Sequence, residues 1–225
     1  MDSLRTWLES DRVLVIQDGE PISARSIAER SDDLAARLGV VHGGRVAIAT
    51  GRVDSIIAAL AACQTAGKQL FLLRESFSME DPVWKSWGVE CVLDDELGET
   101  KLPFGISGVA GPGIVLMTSG TTGKPKVVFH DLEKLMGRIR HRQTTGSDVR
   151  WLLTYHHASF AGMQVLLTTL CSQYALIATK RQTVTMLIKA AFEHQATHVS
   201  GTPTFWRSFL LDVTSRSDKL LLQQI

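Results

Sequence analysis

The sequence contains no asparagine, so none of its 225 residues can accept an N-linked glycan. Cysteine is scarce. Cys63, Cys91 and Cys171 are odd in number and widely spaced, which suggests neither a disulfide framework nor a zinc ribbon. Cys63 and Cys171 fall in apolar helical stretches and are expected in the core. Charge nearly cancels: 24 Lys and Arg against 23 Asp and Glu leave +1, which gives no electrostatic argument for nucleic acid or an acidic membrane surface. No apolar run approaches the length needed to span a bilayer. Asp2, Arg5, Glu9 and Asp11 interrupt the opening residues, unlike a secretory signal. The expectation is a cytoplasmic protein without a membrane span or a nucleic-acid partner.

Several catalytic signatures are also missing. There is no G-x-S-x-G nucleophile elbow, so an α/β-hydrolase is unsupported. His194 and His198 are four apart, but without an H-E-x-x-H glutamate or a cysteine partner they are not read as metal ligands, and no metal site is expected. A Walker loop would need G-x-x-x-x-G-K-[ST] followed by a helix.

What is present is ordinary globular composition, 44% hydrophobic and 21% charged, arranged in an α/β rhythm. Val13 to Ile16 reads as a strand. Ala24, Ile27, Ala28, Ser31, Leu34, Ala35 and Leu38 then share one helical face, and Gly39 is a stop. Arg45 to Thr50 is a strand apolar on both faces, as in a covered parallel sheet. Asp54 opens a helix to Ala66 that is apolar nearly all round and therefore buried. Strands at Leu70–Leu73 and Glu90–Leu93 flank a helix at Glu80–Trp87, and Asp94 to Gly113 reads as a polar, then Gly/Pro-rich linker. A second series follows: helix from Leu132, strand Trp151–Tyr155, helix Ala161–Cys171, strand Tyr174–Ala178, helix from Val184, strand His198–Ser200 and helix Thr204–Leu211. The basic run Arg138, Arg140, His141 and Arg142 reads as a solvated helix end. The fold class is α/β, with parallel sheets flanked by helices. Two subdomains are expected, 1–110 and 111–225.

Between the two series lies Ile114-Val-Leu-Met-Thr-Ser-Gly-Thr-Thr-Gly-Lys-Pro-Lys-Val-Val-Phe129. Apolar runs enter and leave a segment made only of hydroxyls and glycines, followed by two lysines. Glycines let the backbone approach a ligand, and several N–H groups turned to one point make an anion-binding concavity. Thr118, Ser119, Thr121 and Thr122 add hydroxyl donors, and Lys124 and Lys126 add charge. Pro125 forbids a helix starting within the loop, and Val127 to Phe129 read as a strand, so this loop joins two strands. The pattern suits a polyphosphate.

T-S-G-T-T-G-K-P-K resembles the phosphate loop of the adenylate-forming superfamily: acyl-CoA synthetases, peptide-synthetase adenylation domains and luciferases. Val127 stands where that family usually has glycine. The likeness extends to Gly44-Arg-Val-Ala-Ile48, Ala66-Gly-Lys68 and Trp87-Gly-Val-Glu-Cys-Val-Leu93. Tyr155-His-His-Ala-Ser-Phe-Ala-Gly-Met163 is similar to the family's His-and-Gly segment, whose helix lines the acyl pocket, and Gly201-Thr-Pro-Thr204 to a segment near the substrate cleft. The second of these also reads simply as a loop with Pro203 near a helix start.

The resemblance implies ATP and Mg2+ as cofactors and a carboxylic acid as substrate. It also implies an acyl-adenylate product and CoA or a carrier protein as thiol acceptor. Phosphate binding would fall to Thr118, Ser119, Gly120, Thr121, Thr122, Gly123, Lys124 and Lys126, and the acyl pocket to His156, His157 and Gly162. No catalytic base is named, because a carboxylate is already ionised at neutral pH. The family's Y-G-x-T-E segment has no counterpart: the sequence contains no Thr-Glu pair. The expectation is an amino-terminal portion of such a ligase, with missing later strands leaving unpaired edges. By itself it would be inactive and poorly soluble, or dependent on the missing carboxyl-terminal half. The alternative is a catalytically incompetent remnant or split-protein half working through a partner chain.

Overall fold

A computed structural model describes residues 3–39, 44–74, 83–105, 111–118, 126–139, 148–214, 220 and 222. Its strands are β1 (Val13–Gln17), β2 (Glu20–Ser23), β3 (Arg45–Ile48), β4 (Gln69–Leu72), β5 (Val89–Leu93), β6 (Glu99–Lys101), β7 (Gly113–Thr118), β8 (Lys126–Asp131), β9 (Arg150–Leu152), β10 (Ala175–Ala178) and β11 (His198–Val199). Its helices are α1 (Ala24–Leu38), α2 (Val53–Thr65), α3 (Val83–Trp87), α4 (Leu132–Met136), α5 (Phe160–Cys171), α6 (Val184–Glu193) and α7 (Pro203–Thr214). A 3-10 turn at Leu4–Leu8, unmarked by any periodicity, precedes them and buries both its leucines. No described helix is long and apolar enough to cross a membrane.

The helices form where pattern and caps agree. The Ser23 hydroxyl accepts from Ser26 N–H to start α1, and Gly39, at φ +65°, ends it with its N–H on Ala35 O. Ala24, Ile27, Ala28, Ser31 and Leu34 make its buried stripe. Every residue of α2 from Val53 to Cys63 is buried, as the all-round apolar sequence requires. Ser159 and Thr183 cap α5 and α6 in the manner of Ser23.

The strands make two sheets. One has the order β6-β5-β3-β4-β7-β8, with β5, β3, β4 and β7 parallel and β6 and β8 antiparallel at its edges. The other has the order β11-β9-β10-β1-β2, parallel except for the β1–β2 hairpin. Helices α1, α2 and α5 fill the space between the sheets, where most of the core lies. A second apolar layer packs α6 and α7 on the far face of the five-stranded sheet, through Leu152, Ile177, Ile188 and Phe209. A third covers the far face of the six-stranded sheet, with Phe71 edge-on to Trp87 at 4.8 Å.

Sheet membership runs across the boundary expected near residue 110. β1 pairs with β10 of the second half, Val15 beside Leu176, and carries β2 at the edge of the five-stranded sheet, while β7 and β8 complete the six-stranded sheet, Leu72 beside Leu116. A run of alternating apolar residues specifies a strand but not which distant strand it pairs with. The stretch read as a linker contains β6, which zips back antiparallel onto β5. All three cysteines are buried.

Candidate functional site

β7 and β8 are paired rung by rung from Gly113 beside Asp131 to Thr118 beside Lys126. The hydroxyl-glycine segment therefore connects two antiparallel strands, as its sequence implies. Ser119, Gly120, Thr121, Thr122, Gly123 and Lys124 lie outside the described residues, as does Pro125. Thr118 is the last residue of β7, and Lys126, exposed, is the first of β8. Gly113 explains the tight pairing: a Cβ there would stand 2.4 Å from the Phe129 ring and 2.5 Å from His130 O.

The loop leaves the sheet at the carboxyl edge of its parallel strands, the edge at which ligands bind in open α/β sheets. Leu72 pairs with Leu116, so Arg74 and Thr118 each stand two residues further along neighbouring parallel strands. Arg74 is exposed. Sequence reading gives it no role, because one arginine at a strand end makes no pattern.

The histidine segment leaves β9 at the corresponding edge of the other sheet. The Thr154 hydroxyl donates to Ser200 O, and Gln182 Nε2 donates to Tyr155 O at 3.0 Å. The chain then turns into α5. His156 O accepts from Ser159 N–H at 2.8 Å and from the Ser159 hydroxyl at 2.7 Å, while His156 Nδ1 accepts from Ala158 N–H at 3.1 Å. Gly162 donates its N–H to Ser159 Oγ, and a Cβ on it would lie 2.2 Å from His156 O. The geometry thus gives Gly162 a packing role: only glycine lets the first turn of α5 close on the strand end.

His157 is 4% exposed, and its Nε2 has no hydrogen-bond partner among the described residues. Burial above all, then the neighbouring His156 and Arg74, push its pKa down from 6.5 to about 3, so the imidazole is neutral at physiological pH. The His156 and His157 rings lie 4.3 Å apart. His130 on β8 meets Phe160 at the start of α5, ring centroids 5.1 Å apart. The strand leaving the loop and the histidine segment are therefore neighbours, although about 30 residues separate them in the sequence. His130 belongs to no motif, and Phe160 lies within the histidine segment without a role of its own.

Thiol chemistry has no place here. Burial raises the Cys91 and Cys171 thiols to about 12, and Cys63 is raised as well. At Gly201-Thr-Pro-Thr204 the Thr202 hydroxyl accepts from Phe205 N–H, and Pro203 is the first residue of α7. That is a capped helix start with proline where its missing N–H costs nothing.

The profile of the AMP-binding enzyme family matches residues 112–223, from the residue before β7 past the end of α7. The chain belongs to the AMP-binding, adenylate-forming superfamily. Solved structures with the same fold include O-succinylbenzoate coenzyme A synthetase from Bacillus subtilis, in complex with ATP and magnesium ion. That likeness has a TM-score of 0.72 at 18% identity, over 93% of this chain and 65% of that one. The N-terminal domain of FACL13 from Mycobacterium tuberculosis, inhibitor bound, matches with a TM-score of 0.72 at 14% identity, over 93% and 65%. A nonribosomal peptide synthetase with α-methyl-L-serine-AMP bound matches with a TM-score of 0.78 at 15% identity, over 98% and 29%. No curated protein matches the sequence. The chain spans less than two thirds of the length of these structures. The matched region carries both the β7–β8 hairpin and the histidine segment.

Proposed function

We propose that the protein activates a carboxylic acid with ATP, giving an acyl-adenylate and pyrophosphate, and passes the acyl group to the thiol of CoA or of a carrier protein. One observation carries the reading. A hydroxyl-glycine-lysine sequence bridges Thr118 and Lys126 at the carboxyl edge of a parallel sheet, beside a second sheet edge that holds a buried imidazole.

In this reaction a carboxylate oxygen bonds to the α-phosphorus while the bond from that phosphorus to the bridging oxygen breaks. The electron pair leaves with pyrophosphate. Thr118, Ser119, Gly120, Thr121, Thr122, Gly123, Lys124 and Lys126 would surround the departing diphosphate, their N–H, hydroxyl and ammonium groups meeting charge as it grows. Among the described residues no cluster of three or more His, Cys, Asp or Glu could hold a metal. Magnesium would arrive on the nucleotide and supply further neutralisation of the phosphates. His157, uncharged and little hydrated, would face the acyl group, with His156 beside it and Gly162 keeping the helix close.

The test is ATP–pyrophosphate exchange across a panel of carboxylic acids in the full-length protein, comparing the wild type with Lys126→Ala and with Thr121→Ala/Thr122→Ala. Loss on the order of 10²-fold is expected for each variant. Exchange that is unchanged in both removes the loop from the reaction.

A further inference from the structure

Away from the hairpin and the histidines, the two sheets are fastened together at their carboxyl edges by polar groups that run from the buried Gln17, Thr50 and Ser55 to the exposed Asp18 and Lys180. The fastening joins the ends of β1 and β10 in one sheet to the ends of β3 and β5 in the other. Lys180, just past β10, reaches across with its ammonium to Asp95 Oδ2 at 2.6 Å, just past β5. The other oxygen of Asp95 accepts from the hydroxyl of Thr50, which itself accepts from Arg52 N–H at 2.9 Å. Asp95 O accepts from the Ser55 hydroxyl at 2.6 Å. From the five-stranded sheet, Gln17 Oε1 accepts from Val53 N–H at 2.9 Å, while Gln17 Nε2 donates to Asp18 Oδ2. Asp18 closes the circuit by accepting from Lys180 N–H at 3.0 Å. Its φ of +51° is unusual for a residue with a side chain, and aspartate is among those that tolerate it. Thr50 and Gln17 are buried, and Thr50, Asp95 and Lys180 line an open cavity of about 440 Å³ between the two edges.

We infer that Asp95 and Lys180 are positioning residues: their bridge sets the gap between the carboxyl edges, and with it the distance between the phosphate hairpin and the histidine segment. The strand order supports this. β9, which leads to His157, lies next to β10, and β7 lies two strands from β3, about 10 Å at ordinary sheet spacing. A splay at the bridge therefore passes through one strand on one side and two on the other before reaching the site. The bridging side chains are 54% and 33% exposed, so the pair holds the edges in register without supporting the fold as a whole. The consequence for catalysis rests on the adenylation reading; the fastening itself does not.

The experiment compares Lys180→Met, Asp95→Asn, the double variant and Lys180→Arg with the wild type, all in the full-length protein, in two measurements. In hydrogen exchange, each single variant is expected to speed exchange about fivefold in both segment 49–52 and segment 179–182, with the double variant no faster than either. In ATP–pyrophosphate exchange, kcat is expected to fall about tenfold at unchanged KM for ATP, with Lys180→Arg close to wild type and all melting temperatures within a few degrees. Faster exchange confined to the mutated segment overturns the fastening. Coupled exchange with unchanged kcat overturns the positioning role. A wild type without pyrophosphate exchange overturns the adenylation reading instead, and the hydrogen-exchange arm still decides whether the edges are fastened.

Discussion

Acidification from about pH 7.5 to about pH 5 should remove roughly 2 kcal/mol of stability through His157 alone. The perturbation is protonation of a buried base. Unfolded, the imidazole takes a proton near its ordinary value of 6.5; folded, burial and the charges of His156 and Arg74 hold it near 3. Between those values the unfolded chain binds a proton that the folded chain refuses. Stability from this group is therefore complete above the unfolded value, falls as pH drops through the window and levels off below the folded value. Each pH unit inside the window is worth about 1.4 kcal/mol, so the whole span approaches 5 kcal/mol and about 2 kcal/mol is gone by pH 5. Carboxylates titrate in the lower part of this range too, so the assay must be a difference. Urea midpoints are measured at several pH values for the wild type and His157→Gln, whose side chain is neutral throughout. The wild type should lose stability more steeply by the stated amount, and the His157 ring signals in an NMR titration should show no midpoint above about pH 4. Parallel pH profiles for the two proteins, or a His157 midpoint near 6, would refute the account of an unpaired, desolvated imidazole.

Gly162→Ala should destabilise by about 1–3 kcal/mol, because its new methyl group would meet the backbone carbonyl of His156, which has no room to yield; thermal melting reads the loss. Asp54→Ala should cost about 3–5 kcal/mol, since the fully buried carboxylate at the start of α2 answers the guanidinium groups of Arg30 at 2.5 Å and Arg52 at 3.1 Å. A melting curve within a degree of wild type would contradict that. Lys126→Ala, exposed at a strand end, should change stability by no more than about 0.5 kcal/mol while lowering pyrophosphate exchange. A matching drop in both would mean the lysine serves the fold.

Which parts of this protein can be read from the sequence depends on whether the governing contacts are local. The all-round apolar stretch from Val53 to Cys63 can be satisfied only by burial, so α2 is legible without coordinates. Ser23, Gly39 and Pro203 act on backbone groups within a few residues, so helix boundaries follow from them. The loop between Thr118 and Lys126 is legible for a related reason: proline restricts the chain and glycine frees it where each stands, and the flanking apolar runs have to be strands. Pairing partners are another matter. Val15 lies beside Leu176 because a hydrophobic core has to be closed on both sides of α1, α2 and α5, and nothing within ten residues of Val15 encodes that.

The candidate site divides along the same line. Hydroxyls, glycines and lysines in one loop announce an anion by their types alone. His157 does not announce its neutrality, because a histidine acquires a pKa only from what surrounds it. Here that is the layer of α5, the ring of His156 and an arginine 83 residues away at the end of β4. Arg74 has no signature of its own; the parallel register of β4 with β7 brings it level with Thr118. Asp95 and Lys180 are likewise unremarkable in the chain, an acid in an acidic turn and a base after a strand. Their meeting at 2.6 Å requires both sheets to be built and set edge to edge. Chemistry lodged in one loop is thus visible before folding, whereas chemistry that depends on the gap between two sheets exists only after it. The residues that set that gap are therefore the ones to mutate first.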